Sequence, residues 1–283
     1  MTHIEFSRPV VELIEYRTSI RTYSKEQIEE KLVEKFTSFL ESPQDSPFGG
    51  ECNFHVINLP ELDPNEAKKL GTYGTIKGTQ NFIVVTAKRA ERVREHVGYV
   101  LEKFILLATD LGLGTCWIGG IFKKENFARQ VNLPSDEFIP AITPIGYPAK
   151  KRSLIERGMR TIIRANKKNR FPWSKLFFEG DFYSPLSKEK AGEIATALEM
   201  IRLGPSATNA QPWRVIKIKD IYHFFAKPRK NSYRNITRLD LGIATCHFDL
   251  TVAELGIKGK WVFQEPGIEV PEGFFYAISW EKD

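Results

Sequence analysis

Apolar residues recur along the chain with two different periods, and the switches between them mark its elements. Val10 to Tyr16 is a short amphipathic stretch. Ser24, with Gln27 three residues on, has the pattern of a capping box. The helix it predicts, from about Lys25 to Leu40, puts Ile28, Leu32, Val33, Phe36 and Leu40 on one face. Ser42 to Asn53 is rich in Pro, Gly and Ser and reads as loop. Phe54 to Asn58 and Phe82 to Ala87 read as strands. Glu95 to Leu111 predicts a long apolar helix closed by Gly112 and Gly114, and Ile139 to Ile145 a further strand. A basic stretch and the segment Phe171 to Tyr183 lead to a predicted helix over Lys188 to Arg202, then a loop over Gly204 to Pro212. Strands over Trp213 to Lys219 and Ile221 to Ala226, a helix over Asp240 to Leu255 and a strand over Phe274 to Trp280 complete the pattern.

This order contains an internal repeat. Shifted by 144 residues, HVGYVLEKFILLATDLGLGTCWI lies over DLGIATCHFDLTVAELGIKGKWV. The identical pairs are Gly98 with Gly242, Phe104 with Phe248, Leu106 with Leu250, Leu111 with Leu255, Gly112 with Gly256 and Trp117 with Trp261. Glycine and tryptophan in register favour duplication over a chance likeness of two apolar helices. An earlier loop matches at another shift, with Pro47 near Pro205, and the second copy is shorter between its loop and its helix. Two copies are too few for a solenoid, so the pattern predicts two α+β units packed about an internal pseudo-twofold axis.

Composition narrows the classes. The 283 residues are 42% hydrophobic and 27% charged, which excludes disordered and fibrous chains. Cys52, Cys116 and Cys246 are odd in number and show no CxxC spacing, against both a disulfide framework and a zinc knuckle. No apolar run approaches the roughly 18 residues that cross a bilayer. The N-terminal stretch carries Glu5, Glu12 and Glu15 rather than a basic and then apolar leader, so the expected compartment is the cytoplasm. The formal net charge of +6 favours anionic partners. Much of it lies between Lys150 and Arg170, where nine basic residues face Glu156 alone, and most of that stretch reads as a solvated basic helix.

Familiar chemistries are missing. Gly112-Leu-Gly114 opens like a dinucleotide turn, but Trp117 fills the third glycine and the run follows a helix. Gly204-Pro-Ser206-Ala-Thr208 lacks the last glycine of a nucleophile elbow. His247, beside Cys246, reads as a residue of the helix surface rather than a metal ligand. Three segments remain. In Arg17-Thr-Ser-Ile-Arg21 an extended backbone would project Arg17, Ser19 and Arg21 to one side, a cradle for an anion or else a turn with solvated arginines. Leu203-Gly-Pro-Ser-Ala-Thr-Asn-Ala-Gln-Pro-Trp213 concentrates hydroxyls and turn formers between a helix and a strand. Gly112 to Gly120 holds four glycines, which let a backbone pass close to something flat.

Together these segments resemble the nitroreductase family of FMN-dependent oxidoreductases, with its R-x-S-x-R-like motif, its P-S-x-x-N-x-Q-P-W loop and its glycine segment. The match is closest to the single-chain, internally duplicated branch. Gly146-Tyr147-Pro148 and the basic Lys168-Asn169-Arg170 also fit the pattern. The order departs from it, because the family loop normally precedes the glycine segment. That place holds the worn Ser46-Pro-Phe-Gly-Gly-Glu-Cys-Asn53, and the good loop stands in the second copy.

The resemblance implies an α+β, nitroreductase-like fold: two tandem repeats, 1–170 and a shorter 171–283, forming a pseudo-dimer with antiparallel sheets and flanking helices in one compact unit. It implies one shared FMN site. Arg17, Thr18, Ser19, Lys168 and Arg170 would hold the phosphate and ribityl chain. Arg21 and Lys77 would stand near the pyrimidine edge. Ile118, Gly119 and Gly120 would bring backbone close to the flavin, and Pro205, Ser206, Ala207 and Asn209 would cover the other edge. No catalytic side chain is required and no metal is expected. The opposite site would pair the worn loop with a segment lacking the paired arginines. Phe48 stands there in place of the loop serine and Glu51 in place of Asn209, where a carboxylate would repel flavin, so one FMN per chain is expected. The activity implied is ping-pong reduction of nitroaromatics, quinones or similar flat acceptors by NADH or NADPH, in a monomer with no membrane or nucleic-acid partner. The alternatives are a non-enzymatic flavin or ligand binder and a nucleic-acid binder working through Lys150 to Arg170.

Overall fold

The computed structural model describes residues 5–62, 65, 70–72, 74–120, 122–162, 169–228 and 234–283. In chain order these form α1 (Val10–Tyr16), α2 (Glu30–Glu41), β1 (Cys52–Asn58), β2 (Asn81–Lys88), α3 (Val93–Asp110), β3 (Gly114–Thr115), α4 (Lys124–Gln130), β4 (Glu137–Gly146) and α5 (Leu154–Ile162). Then follow β5 (Phe177–Glu179), α6 (Lys188–Ala191), α7 (Ala195–Leu203), β6 (Trp213–Ile218), β7 (Ile221–Ala226), α8 (Arg234–Glu254), β8 (Gly259–Val262) and β9 (Phe275–Lys282).

The strands make two sheets, β1-β2-β4-β3 and β5-β6-β7-β9-β8. Leaving β5 aside, the second order repeats the first, strand for strand, and each sheet inserts one long helix, α3 or α8, between its second and third strands in sequence. The first sheet is antiparallel throughout. The second is mixed rather than antiparallel as expected, because β5 runs parallel to β6. Each sheet packs its own core. Ile83, Val85 and Ala141 close on Phe104 and Ile105 of α3. Val215, Phe224 and Ile278 close on Phe248 of α8 and Leu198 of α7. Burying each such side chain contributes about 1.5–3 kcal/mol.

The two halves meet where α3 and α8 cross. A Cβ on Gly98 would lie 2.2 Å from the Leu239 carbonyl oxygen, and one on Gly242 would lie 2.1 Å from the Glu95 carbonyl oxygen. Glu95 and Leu239 stand at the same 144-residue spacing as the two glycines. Each half therefore makes toward the other the contact it receives, as across a twofold axis. The crossing is also tied by side chains. Arg238 bonds Glu95, and the Tyr99 hydroxyl bonds Asp249.

Some elements differ from the periodic reading. The second helix begins at Glu30, not Lys25. Ser24 caps only a turn, its Oγ accepting from the Glu26 N–H at 3.1 Å. The backbone there is engaged elsewhere, Ser24 N–H on Tyr147 O and Lys25 O by the Gln80 amide. The helix expected over Lys188 to Arg202 breaks at Gly192, whose φ of 58° no helix accommodates. The short elements β3, α4, β5 and β8 show no period long enough to read. Among the described residues no helix is long and apolar enough to cross a membrane.

Candidate functional site

The Arg17–Arg21 segment leaves α1 in extended conformation and lies along β3. Ser19 pairs in parallel with Thr115, and the Ile20 N–H donates to Thr115 O at 2.8 Å. Alternation then sends Arg17, Ser19 and Arg21 to one side. That side is a wall of a cavity of about 440 Å³, in the range of small-molecule sites. Gly119, Arg152, Arg160 and Arg170 contribute from the first half of the chain. Leu203 and the loop Pro205 to Asn209 contribute from the second, with Ile236, Leu239, Asp240 and Ile243 of α8. Both halves build the one space.

Its cationic end is unusually buried. Arg17 is 7% exposed and Arg21 8%. Arg17 Nε, Arg21 Nη1 and Arg170 Nε are buried without a hydrogen-bond acceptor among the described residues. The nearest carboxylate contact of Arg17 is Glu102 Oε1, at 3.8 Å from its Nε. Burial depresses the Arg17 guanidinium, and burial together with the charges of Arg17 and Arg202 lowers that of Arg170 to about 10. A buried donor left unpaired costs about 1–3 kcal/mol, and more when charged. An anion with several oxygens at this end recovers that cost.

Other groups fix these arginines. Arg170 donates to Leu203 O at 2.9 Å and bonds the Asn209 side chain, tying the first half to the loop of the second. Arg160 donates to Thr18 Oγ1 at 3.1 Å and to Ser19 O at 3.2 Å. Behind Arg17, Glu102 is fully buried between α3 and α8. Its Oε2 accepts from Trp117 Nε1 at 2.6 Å, and its Oε1 faces His247 Nε2 at 2.8 Å. The other ring nitrogen of His247 lies 3.0 Å from the Met200 carbonyl oxygen, which only accepts, so that nitrogen carries a proton. The hydrogen bond to Glu102 therefore needs a second proton, shared between imidazole and carboxyl. His247 is thus a buried interface residue, not one of the helix surface.

The other end is apolar. Ile236, Leu239 and Ile243 form one stripe of α8, and the fourth position of that stripe is Asp240. A Cβ on Gly119 would lie 3.5 Å from Leu239, and one on Gly120 would lie 3.5 Å from Ile236. The glycine segment therefore runs across the stripe. Asp240 is buried, and its Oδ1 accepts the Ala207 N–H at 3.0 Å. Burial raises its carboxyl to about 8, against the opposing effect of that one hydrogen bond.

Of the residues expected at the site, Arg17, Thr18, Ser19, Arg21, Gly119, Arg170, Pro205, Ser206, Ala207 and Asn209 line this one cavity. Lys77 does not line it: its side chain is exposed, and its backbone pairs with Arg21 and Tyr23. Ile118 does not either, being paired with Ile142 and packed in the core under β4. Gly120 is exposed beside Ile236, and Lys168 lies outside the described residues. Sequence reasoning missed Asp240, Trp117, Arg152 and Arg160. Arg152 and Arg160 fell within the stretch read as solvated, yet both turn toward Glu156, which is fully buried. A lone acidic residue amid nine basic ones was the signal.

The positions related by the 144-residue shift carry different side chains. Phe263 stands where Gly119 stands in the first half, with the Arg92 guanidinium 4.1 Å from its ring centre. His96 stands for Asp240 and contacts Ser46 Oγ at 2.9 Å. Phe48 is buried in the core of the second sheet. Glu51 is exposed and paired with Lys88 at 3.2 Å.

A family model described as "Putative TM nitroreductase" matches residues 9–252. The whole chain resembles the crystal structure of a "putative nitroreductase" from Thermotoga maritima, with a TM-score of 0.61 at 19% identity, covering 100% of this chain and 96% of that one. Two half-length likenesses are a nitroreductase family protein from Clostridium difficile 630 and an FMN-dependent nitroreductase from Clostridium difficile R20291. The first has a TM-score of 0.41 at 22% identity, covering 58% of this chain and 94% of that one. The second has 0.40 at 23%, covering 50% and 88%. No curated protein matches the chain.

Proposed function

This chain belongs to the nitroreductase family, and we propose that it is an FMN-dependent NAD(P)H oxidoreductase, a cytoplasmic monomer of two fused repeats holding one FMN. The observation that carries the reading is the set of three arginines, each with a buried N–H group unpaired among the described residues, at one end of a cavity that both repeats build. A phosphate ester fits that donor set, because its oxygens accept several charge-assisted bonds at once. The flat apolar end beside Gly119 fits a planar ring.

Arg17, Thr18, Ser19 and Arg170 would hold the phosphate side, and Arg21 would place positive charge near the ring. Pro205, Ser206, Ala207 and Asn209 would line the opposite edge. When bound, FMN would supply hydride chemistry between NADH or NADPH and a nitroaromatic, quinone or similar flat acceptor, in alternating half-reactions. The protein's share is positional and electrostatic. Leu239 and Ile243 exclude water from the apolar end. Glu102, braced by Trp117 and His247, stands behind Arg17 with its Oε1 3.8 Å from the Arg17 Nε, so that a hydrogen-bonded carboxyl group rather than apolar surface backs that guanidinium. Phe263 in the place of Gly119 is the reason for proposing one FMN rather than two.

The test is spectroscopic. Protein purified in the presence of FMN and then desalted should be yellow, with a bound-flavin spectrum that NADH or NADPH bleaches under exclusion of oxygen. A nitroaromatic or quinone should restore the colour. A colourless protein that takes up no FMN would refute the proposal, and a yellow one that neither nicotinamide bleaches would leave a binder without the activity.

A further inference from the structure

The apolar stripe of α8 is interrupted once, by Asp240, and nothing in the fold requires a carboxylic acid at that point. Among the described residues its hydrogen-bond partner is the Ala207 N–H, accepted through Oδ1, which a carboxamide oxygen does equally well. The loop above it, Ser206 to Asn209, offers no ionisable side chain, and the glycine segment across from it offers only the buried thiol of Cys116. On its own helix the neighbouring Arg238 is turned away to Glu95. Arg17, Arg21 and Arg170 line the other end of the cavity. The carboxyl is thus buried, unpaired with any cation among the described residues, and set in the wall of the space where a flat acceptor would lie.

We propose that Asp240 is the proton donor to the acceptor, so that the substrates this site favours are those whose reduction places negative charge on oxygen, as in quinones and nitro compounds. This rests on the flavin reading above. The step balances as follows for a quinone. A hydride, carrying two electrons, passes from reduced flavin to the acceptor and leaves negative charge on its oxygen. The carboxyl O–H of Asp240 breaks as the O–H bond of the hydroquinone forms, and the carboxylate left behind takes a proton back from water. A nitro group consumes its protons in the same way and releases one of its oxygens as water. Burial keeps the acid form in place at neutral pH, since the group titrates near 8. General acid catalysis from a positioned group is worth about 10²–10⁴-fold in rate.

The test uses the flavin-loaded protein and Asp240→Asn, which keeps the acceptor for Ala207. After reduction by NADH or NADPH, reoxidation by a quinone should be about 100-fold slower in the variant. Reoxidation by ferricyanide, which takes electrons without a proton, should be unchanged, as should FMN affinity. Independently of flavin, the infrared difference between the unloaded wild type and the unloaded variant at neutral pH should contain a protonated-carboxyl band. Equal quinone rates in the two proteins overturn the proposal. Quinone and ferricyanide rates that fall together also overturn it, because they mark a structural role. So does a missing carboxyl band. A wild type that takes up no FMN overturns the flavin reading itself, and this assignment with it, whereas flavin uptake with normal quinone turnover in the variant overturns the assignment alone.

Discussion

Replacing Gly242 by alanine puts a methyl group where the backbone of the other repeat already stands. The new Cβ would lie 2.1 Å from Glu95 O, 2.6 Å from Tyr99 N and 2.7 Å from Gly98 Cα. These are backbone atoms of a helix, so no side-chain rotation relieves the overlap and α3 and α8 must move apart. Overpacking of this kind costs about 1–3 kcal/mol and sometimes more. Alanine returns up to about 1 kcal/mol through its better helix propensity. With contacts this short the overlap sits at or above the top of its range, and the net loss should be about 2 kcal/mol. For a chain of this size that lowers Tm by about 3–4 °C. Gly98→Ala meets the reciprocal obstacle, 2.2 Å from Leu239 O, and should cost a similar amount. Because either change separates the same two helices, the double variant should lose clearly less than the two single losses added together. Gly158→Ala in α5 is the control, since its Cβ would meet nothing within 4 Å, and it should leave stability equal or slightly raised. The assay is equilibrium unfolding in urea for the wild type and the four variants. Full additivity, or a Gly242→Ala protein as stable as the control, would refute a tight reciprocal crossing as the seam between the repeats.

The remaining predictions concern charge and pH. Arg17→Ala should weaken FMN binding by about ten- to a hundred-fold, given roughly 1.5–3 kcal/mol for hydrogen bonds to a charged partner, as read by fluorescence titration of the folded variant; equal affinity would remove Arg17 from the anion grip. Burial lowers both His96 and His223 to about 4. An unfolded histidine takes up its proton near 6.5, so the stability these two contribute is present above that pH and is lost as pH falls toward 4. Denaturant midpoints should drop across that window, and the drop should shrink in His96→Gln; a flat profile would contradict the neutral burial of both rings. Cys52, raised to about 12 by burial, and the buried Cys116 and Cys246 should react slowly with a thiol reagent at pH 8 until denaturant is added, whereas rapid labelling of the native protein would contradict their placement.

Much of this was legible in the sequence because the signals were long or repeated. The long apolar runs of α3, 18 residues, and of its partner α8, 21 residues, could be read as helices. The glycine pair in register, 144 residues apart, pointed to the crossing now seen at Gly98 and Gly242. The extended Arg17–Arg21 segment and the Ser206–Asn209 loop were found by the density of hydroxyls and cations, and the structure brings them to one cavity. What escaped was decided by tertiary contact. Ser24 had a capping pattern, but its backbone was already engaged with Tyr147, so the helix starts later. Lys77 is tied through its backbone and presents no side chain to the cavity. Arg160 looked solvated because the carboxylate it faces, Glu156, four residues away on the same helix, was read with the basic stretch around it as exposed. Asp240 was hidden as the first residue of a predicted helix. Only when α8 is seen to start earlier, at Arg234, does it become the polar break in an apolar stripe.

The central claim is that one chain, through one cavity shared by its two halves, holds a single flavin. The measurement is the FMN released by heat denaturation, counted against protein concentration and set beside the molar mass of the loaded protein from light scattering. One FMN per chain, on a particle of 32.4 kDa, is the expected result. Two per chain would show that the half carrying Phe263 and Glu51 still binds, and flavin found only on a dimer would show that the site lies between chains rather than within one.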